Sequence, residues 1–124
     1  MLDSGAGASL ATKGALDNAG MQLRPADKTL VDASGNNIRL LGMINIPVEV
    51  FGDDNRRIVK NVTFYVSDSD ANCVLLGRNF MKAFGKVCFD FDANKVQLGD
   101  IWCTGLKMNG VILSYRLRAK HTSN

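Results

Sequence analysis

The sequence predicts an all-β protein with one or two short helices. Short apolar runs recur along the chain and are separated by glycine, asparagine, aspartate and serine. One such break, Ser34-Gly35-Asn36-Asn37, contains the residue types that adopt the positive φ of a tight hairpin. The composition, 46% hydrophobic and 22% charged, is ordinary for a soluble globular chain. Together these observations favour a small barrel or sandwich.

The first half of the chain predicts two hairpins in succession. Residues 28–33 alternate loosely between apolar and polar, and residues 38–51 are strand-rich, so we expect a long hairpin with the glycine-bearing tip. The turn Gly52-Asp53-Asp54-Asn55 then leads to a strand over residues 57–66 that pairs back on the preceding one. Pro47 cannot donate a ladder hydrogen bond, and therefore indicates an edge position or a bulge.

The second half predicts a buried strand, a helix and further hairpins. Cys73-Val74-Leu75-Leu76 is wholly apolar, which is typical of a strand buried on both faces. Residues 79–84 suit a helix that ends at Gly85. The other expected elements are a hairpin of residues 86–91 and 95–98 through Asp92-Ala93-Asn94, a helix of about residues 13–19 between Thr12 and Gly20, and a hairpin around Asn109-Gly110 within residues 101–117.

Length and charge limit the classes of function. The 124 residues suffice for one domain with a modest core. The formal net charge is +3, and beyond Asp100 the chain has basic residues but no acidic one. A basic tail can contact nucleic acid, but more often it only solubilises the chain, so we do not expect a nucleic-acid partner. The basic residues of this tail are Lys107, Arg116, Arg118 and Lys120.

The same inventory argues against membrane, secreted and metal-binding classes. No apolar run reaches the roughly 18–20 residues that span a bilayer, and the first residues lack the pattern of a signal peptide. Cys73, Cys88 and Cys103 contain no Cys-x-x-Cys pair, and His121 is the single histidine. We therefore expect an intracellular, cytoplasmic protein without a metal or other cofactor and without a membrane partner.

Asp3-Ser4-Gly5-Ala6 is the first motif with a chemical rationale. The glycine lets backbone N–H groups approach a carboxylate and a substrate closely. The serine hydroxyl can lock the loop, and hydrogen-bond donors near a carboxylate favour its ionised form. The same tetrapeptide also suits an ordinary turn. On its own, the motif leaves both interpretations open.

A second motif, Val74-Leu75-Leu76-Gly77-Arg78-Asn79-Phe80, gives the first one a context. The order Asp3-Ser4-Gly5-Ala6, then the tip Ala33-Ser34-Gly35-Asn36, then this motif resembles the retropepsins, most of all the gypsy-type retrotransposon proteases and related retroviral enzymes. Residues 84–91 and 94–98 are similar to the closing strands of that family. The resemblance covers about residues 1–100 in colinear order.

The resemblance implies a small closed β-barrel-like acid-protease fold with a flap hairpin and one or two short helices. It implies a protease domain over residues 1–100, followed by a basic C-terminal extension over residues 101–124. That extension is open to interpretation as a linker, an added hairpin or an interface element. The implied function is that of an aspartic endopeptidase acting on extended polypeptides, most plausibly a retroelement polyprotein.

In this family each subunit of a homodimer contributes one aspartate to the site, here Asp3. An isologous dimer places the same residue of both chains face to face on the two-fold axis. Two such carboxylates cannot both ionise easily, so they share one proton. The ionised one activates a water as general base, and the protonated one donates to the scissile carbonyl.

The resemblance implies roles for further residues. Ser4 would make hydrogen bonds across the dimer floor, and Gly5 and Ala6 would complete the active-site loop. Gly77 and Arg78 would support that loop structurally. The substrate-binding residues would be Gly7 and Ala8 in the floor, Ser34, Gly35 and Asn36 at the tip of the flap, and Leu75 in a side-chain pocket.

Two departures from the family pattern leave alternatives open. The position of the acidic residue that partners the arginine in retroviral relatives is Gly7 here. The family also has a strand before the aspartate, whereas only Met1 and Leu2 precede Asp3, so the first strand is expected to be missing. The alternative to an enzyme is therefore a catalytically inactive retropepsin-like module for dimerisation or peptide binding. An unrelated β-barrel binding domain is the third interpretation.

Three aspartate pairs invite interpretation as catalytic or metal sites. All of them lie in or beside predicted turns, where aspartate is favoured because it accepts hydrogen bonds from the backbone. We therefore interpret them as turn residues rather than ligands. The pairs are Asp53 and Asp54, Asp68 and Asp70, and Asp90 and Asp92.

Overall fold

The computed structural model describes residues 1–3, 5–16, 22–108, 111–113 and 117–118. The protein is mostly β-sheet, as predicted. Its strands are β1 (Leu2–Asp3), β2 (Ser9–Thr12), β3 (Leu30–Val31), β4 (Asn37–Ile38), β5 (Leu40–Gly52), β6 (Arg57–Ser67), β7 (Val74–Leu75), β8 (Val87–Asp90), β9 (Lys95–Leu98), β10 (Ile101–Met108), β11 (Val111–Leu113) and β12 (Leu117–Arg118). The helices are α1 (Lys13–Leu16) and α2 (Arg78–Met81), and a 3-10 turn (Lys82–Phe84) continues α2.

The main sheet is a curled half barrel with the strand order β7-β2-β6-β5-β10-β9-β8, and β11 pairs with β10. Strand β2 runs parallel to β6, and the other neighbours along this path are antiparallel. Two small sheets pair β1 with β12 in parallel and β3 with β4 in antiparallel. The described path ends at β7 and β8, so the sheet is open where a closed barrel was expected.

The longest ladder joins β5 to β6, which confirms the predicted second hairpin. Its turn contains Asn55 at a φ of 66°, a value that asparagine tolerates. Pro47 is exposed, and the pairing of β5 with β10 starts at the next residue, Val48. Pro47 therefore lies at a position where only β6 pairs with β5, which suits a residue that has no backbone N–H to donate.

One apolar core is shared by the half barrel and α2. Side chains of a strand alternate between its two faces, and burial alternates in this way from Ile46 to Gly52 of β5. The last four residues of β6, 64–67, are all buried, so this end of the strand is covered on both faces. Full burial of each such side chain contributes about 1.5–3 kcal/mol. The most deeply buried members are Leu2, Ala11, Val48, Val50, Phe64, Val66, Leu76, Phe80, Val96, Leu98, Ile101 and Leu106.

The first hairpin is shorter than predicted. Strands β3 and β4 form two residue pairs, and β5 then leaves this ladder to pair with β6. Gly42, farther along β5, has a φ of 154° next to a register shift in that strand. At the following residue the backbone of Arg24 exchanges two hydrogen bonds with Met43, at 2.9 and 2.8 Å. This isolated antiparallel bridge joins the segment before β3 to β5, so the two arms of the hairpin meet again beyond the short ladder.

Both predicted helix signals are found. The Thr12 hydroxyl accepts a hydrogen bond from the Ala15 N–H at 3.2 Å, so α1 starts at the predicted N-cap. The predicted end at Gly20 lies outside the described residues. Helix α2 and its 3-10 turn end at Gly85, which has a φ of 78°. Among the residues described, no helix is long and apolar enough to cross a membrane.

The segment beyond residue 100 continues the sheet. Strand β10 lies between β5 and β9, and its side chains Ile101, Cys103, Leu106 and Met108 are buried in the core. Met108 pairs with Val111 across residues 109 and 110, which confirms the predicted hairpin. Over residues 101–113, the extension is therefore a hairpin of the main sheet.

Two of the three aspartate pairs contain a residue that accepts a backbone hydrogen bond within its turn, as predicted, whereas Asp68 and Asp70 form ion pairs with a lysine that is distant in the sequence. Asp54 accepts a hydrogen bond from the Arg56 N–H at 3.2 Å. Lys13 pairs with Asp68 and Asp70 at 3.3 and 3.2 Å. In the described part of the chain, no group of three or more His, Cys, Asp or Glu residues is placed to hold a metal ion.

We expect Gly42→Ala to lower the free energy of unfolding by roughly 1–3 kcal/mol, because the substitution strains the backbone. A Cβ at this position would lie 2.4 Å from the Arg24 carbonyl oxygen. Urea unfolding measures the loss. The matched control is Gly105→Ala, whose Cβ would meet its nearest atom at 3.9 Å and should not destabilise the fold. Equal effects of the two substitutions would contradict the assignment of strain to Gly42.

Candidate active site

Asp3 is held at the end of the two-residue strand β1. Its N–H donates to the Leu76 carbonyl at 2.9 Å, and the Leu76 N–H donates to the Met1 carbonyl at 2.6 Å. On its other side β1 pairs with β12, where Asp3 is opposite Arg118 in the register. Because the flanking Leu2 and Leu76 are fully buried, the core fixes the position of this aspartate.

The carboxylate of Asp3 lies within a tight loop. Its side chain accepts a hydrogen bond from the Gly5 N–H at 2.8 Å, and its own carbonyl accepts one from the Ala6 N–H at 3.2 Å. Asp3 is a buried residue, with 8% of its surface exposed.

The loop after Asp3 packs directly against the start of α2. The Arg78 N–H donates to the Ala6 carbonyl at 2.7 Å. A Cβ on Gly77 would lie 2.3 Å from the Ala8 carbonyl oxygen and 2.8 Å from that of Ala6. Since real Cβ atoms do not approach backbone so closely, position 77 requires glycine. The two sequence motifs thus meet through their backbones.

Ser9 and Asn79 complete this junction and were not predicted as site residues. The Ser9 side chain is fully buried; its hydroxyl donates to the Asn79 Oδ1 at 2.6 Å and accepts from the Gly77 N–H at 3.0 Å. The Asn79 amide donates in turn to the Thr63 carbonyl of β6 at 3.1 Å. The signal in the sequence was a serine inside an apolar strand, since a buried hydroxyl needs a partner.

The guanidinium of Arg78 lies close to Gly7. A Cβ on Gly7 would be 3.4 Å from the guanidinium Nη2 of Arg78. The arginine itself is exposed, and it forms no ion pair with any residue that the structure describes. Its backbone rather than its charge therefore holds the loop.

The structure brings one group of the predicted site residues together and leaves another apart. Asp3, Gly5, Ala6, Gly7 and Ala8 form one loop, which meets Gly77 and Arg78, whereas Ser4 lies outside the described residues. Leu75 is partly buried and pairs with Leu10 of β2. The tip residues Ser34, Gly35 and Asn36 are exposed on a separate hairpin, with no hydrogen bond to the Asp3 loop among the described residues.

The tip of that hairpin is organised by Asp32. Its carboxylate accepts hydrogen bonds from the Ser34 hydroxyl at 2.6 Å and from the Ser34 and Asn36 N–H groups at 3.0 Å. These bonds, the hydroxyl foremost, lower the pKa of Asp32 below its ordinary value of 3.8. Gly35, at a φ of 86°, supplies the left-handed residue of the turn.

A cleft of about 390 Å³ lies at the foot of the hairpin. Beside it the Tyr65 hydroxyl donates to the Asp27 carboxylate, and this bond raises the pKa of Tyr65. The Nζ of Lys28 lies 5.5 Å from the centre of the Tyr65 ring. The cleft is therefore lined by an acidic residue, a basic residue and apolar side chains. Its lining residues are Ala26, Asp27, Lys28, Thr29, Ile38 and Leu40.

We expect Ser9→Ala to lower the free energy of unfolding by about 1–3 kcal/mol, because it leaves the buried Gly77 N–H without its acceptor. Urea unfolding measures the change. The matched control is Ser69→Ala, which removes a hydroxyl that accepts an exposed 3.2 Å bond from the Ala71 N–H, and which should change stability by less than about 0.5 kcal/mol. A loss at Ser9 no larger than at Ser69 would count against the junction.

Comparison of this chain with models of known protein families, with curated proteins and with solved structures found no match.

Proposed function

We propose that the protein is a retropepsin-like aspartic endopeptidase that works as a homodimer on extended polypeptides, such as a retroelement polyprotein. The observation that carries the proposal is the placement of Asp3. Its nearly buried carboxylate accepts the Gly5 N–H in a loop that is fastened to Gly77 and Arg78. A rigid loop of this kind can present one carboxylate in a fixed direction.

One chain supplies half of the chemistry. In an isologous dimer the two Asp3 side chains would face each other across the two-fold axis and share one proton. The ionised carboxylate would take a proton from water as the oxygen attacks the scissile carbonyl carbon, while the protonated one gives its proton to the carbonyl oxygen. The shared proton belongs to the pair rather than to either residue.

The proposal also assigns a floor and a cover to the site. Gly7 carries no side chain and Ala8 a short one, and an extended peptide backbone can approach such a loop closely. The hairpin tipped by Ser34, Gly35 and Asn36 would act as a flap that excludes water. Leu75, partly buried beside β2, would line an apolar subsite.

The lowered pKa of Asp32 sets the pH range in which the flap tip holds its structure. A depressed folded-state pKa gives a contribution that is present above the unfolded value of 3.8 and is lost as the pH falls through the folded value. At about pH 5, where a shared aspartate proton supports catalysis, Asp32 is therefore ionised and its tip hydrogen bonds are intact.

We expect Asp3→Asn to lower cleavage of a denatured protein substrate at about pH 5 by roughly 10²–10⁴-fold, because it removes the general base. The assay is the release of peptides by the purified chain at high concentration. The matched control is Asp53→Asn, on the exposed turn after β5, which should retain activity.

Two results would contradict the proposal in different ways. Equal cleavage by the Asp3 and Asp53 variants would end the dyad mechanism. Binding of an extended peptide without any turnover by the unchanged chain would support the non-catalytic module instead.

We expect Gly35→Ala to lower kcat/KM roughly tenfold or more while its stability falls by about 1–2 kcal/mol, since an alanine strains a positive φ and stiffens the flap. A Cβ at Gly35 meets no atom within 4 Å, so packing does not contribute. The control is Gly99→Ala, another glycine of positive φ, with a φ of 64° in the turn between β9 and β10. If Gly99→Ala reduces kcat/KM as much as Gly35→Ala, the loss reflects stability rather than the flap.

A further inference from the structure

The hairpin tipped by Gly35 has two arms that are attached to the main sheet in different ways. Its second arm runs directly into β5, which starts at Leu40. Its first arm begins with residues 22–29, the foot segment, which meet β5 at the isolated bridge between Arg24 and Met43. A bridge of one residue pair has no adjoining ladder to reinforce it, so side-chain contacts determine how firmly the foot segment is held.

Tyr65 of β6 receives two contacts from the foot segment. Its hydroxyl donates to the Asp27 carboxylate, and the Nζ of Lys28 lies 5.5 Å from the centre of its ring. Asp27 and Lys28 are exposed, whereas Tyr65 is 6% exposed. The tyrosine is therefore covered, and its hydroxyl is bonded to the segment that lies beside it.

A second contact lies on the same face of the sheet, two residues along each strand. Asn45 is opposite Thr63 in the ladder between β5 and β6, as Met43 is opposite Tyr65. The Oδ1 of Asn45 accepts hydrogen bonds from the Thr63 hydroxyl at 2.7 Å and from the Nη2 of Arg24 at 3.3 Å. One side-chain oxygen of β5 thus joins the foot segment to β6.

Packing between the two arms does not replace these contacts. The cleft of about 390 Å³ is lined by both arms, at Ala26 and Thr29 of the foot segment and at Ile38 and Leu40 of the second arm. Open space rather than close apolar contact therefore lies between the arms at this level. The position of the first arm depends instead on its bonds to the main sheet.

The same part of β6 also carries the junction beneath the candidate active site. The ladder between β2 and β6 starts with Ser9 opposite Phe64. Just before it, the Thr63 carbonyl accepts a hydrogen bond from the Asn79 amide at 3.1 Å. Residues 63–65 are therefore bonded to the candidate site on one side and to the foot segment on the other.

We propose that Asn45 and Tyr65 are positioning residues, which clamp the foot segment to residues 63–65 of β6 and so set the position of the hairpin over the Asp3 loop. Both residues act through the hairpin rather than on the substrate. A strand that is hydrogen-bonded on both sides is a rigid support for the loop and for the hairpin alike. This inference rests on the proposed function, in which the hairpin covers the substrate, and names the residues that align this cover with the carboxylate.

The first test measures the bridge by amide hydrogen exchange followed by NMR. Tyr65→Phe removes only the hydroxyl, and we expect it to speed exchange of the Arg24 and Met43 amides roughly three- to tenfold, because one hydrogen bond fewer keeps the bridge closed. The Gly77 N–H, bonded to Ser9, should keep its exchange rate, which shows that the rest of the fold is intact. Unchanged exchange at Arg24 and Met43 would overturn the clamp.

Asn45 allows a matched pair of variants in the same measurement. Asn45→Leu removes the acceptor for Arg24 and should speed exchange of the bridge amides by a similar factor. Asn45→Asp keeps oxygens that can accept from both Thr63 and Arg24, so the rates should stay close to those of the unchanged chain. The control is Thr104→Val, which removes a 3.2 Å hydrogen bond to the Phe51 carbonyl at the far end of β5 and should not affect the bridge. Equal exchange in Asn45→Leu and Asn45→Asp would contradict the role of the oxygen.

Steady-state kinetics test the positioning role. In Tyr65→Phe and Asn45→Leu we expect the KM for a peptide substrate to rise roughly three- to tenfold while kcat changes by less than about twofold, because a looser cover weakens binding of the ground and transition states alike. Asn45→Asp should restore the KM. A merely structural role would lower the amount of folded enzyme, and with it the apparent kcat, without raising the KM.

The outcomes separate this inference from the proposed function. Faster exchange at the bridge, in a chain without peptidase activity, would support the clamp on the foot segment and reject the enzyme. Cleavage that depends on Asp3, with an unchanged KM in Tyr65→Phe and Asn45→Leu, would support the enzyme and reject the positioning role.

Discussion

The close approach of two backbone segments governs the rest of this structure. The loop after Asp3 lies so near the start of α2 that the carbonyls of Ala6 and Ala8 occupy the space where a side chain at position 77 would stand. Glycine is the residue that permits this contact, and the Ser9 hydroxyl accepts the hydrogen bond that the Gly77 N–H donates. A carboxylate on such a loop loses little conformational freedom when it acts, which is the condition for an efficient catalytic group.

Elements specified by local chemistry were predictable from the sequence, and elements specified by distant partners were not. The β5–β6 hairpin, the cap at Thr12 and the stop at Gly85 each follow from a few neighbouring residues. The insertion of β10 between β5 and β9 depends on pairing between segments about fifty residues apart, which no turn signal announces. The regular ladder of the first hairpin is shorter than predicted, and its two arms meet again only at the bridge between Arg24 and Met43.

The same distinction between local chemistry and distant partners applies to the candidate site. The motifs around Asp3 and Arg78 were visible as strings of letters, and the structure brings them into contact through main-chain atoms. Ser9 was not predicted as a site residue, because the role of a single serine in a strand becomes evident only when its partner, Asn79, packs against it. Gly7 offers Arg78 no acidic side chain, but the Arg78 N–H fastens the loop at Ala6, so the contact between the loop and α2 does not need a charge pair at this position.

The central position of β10 in the sheet has a consequence during synthesis of the chain. Synthesis proceeds from the N-terminus, so β5 leaves the ribosome long before the strand that covers its second side. During that interval residues 48–52 present an unsatisfied row of amide and carbonyl groups, open to pairing with another nascent copy. Pro47, just before this stretch, has no backbone N–H to donate, and Glu49, within it, is charged. Both are residue types that disfavour pairing of an exposed strand edge with another chain.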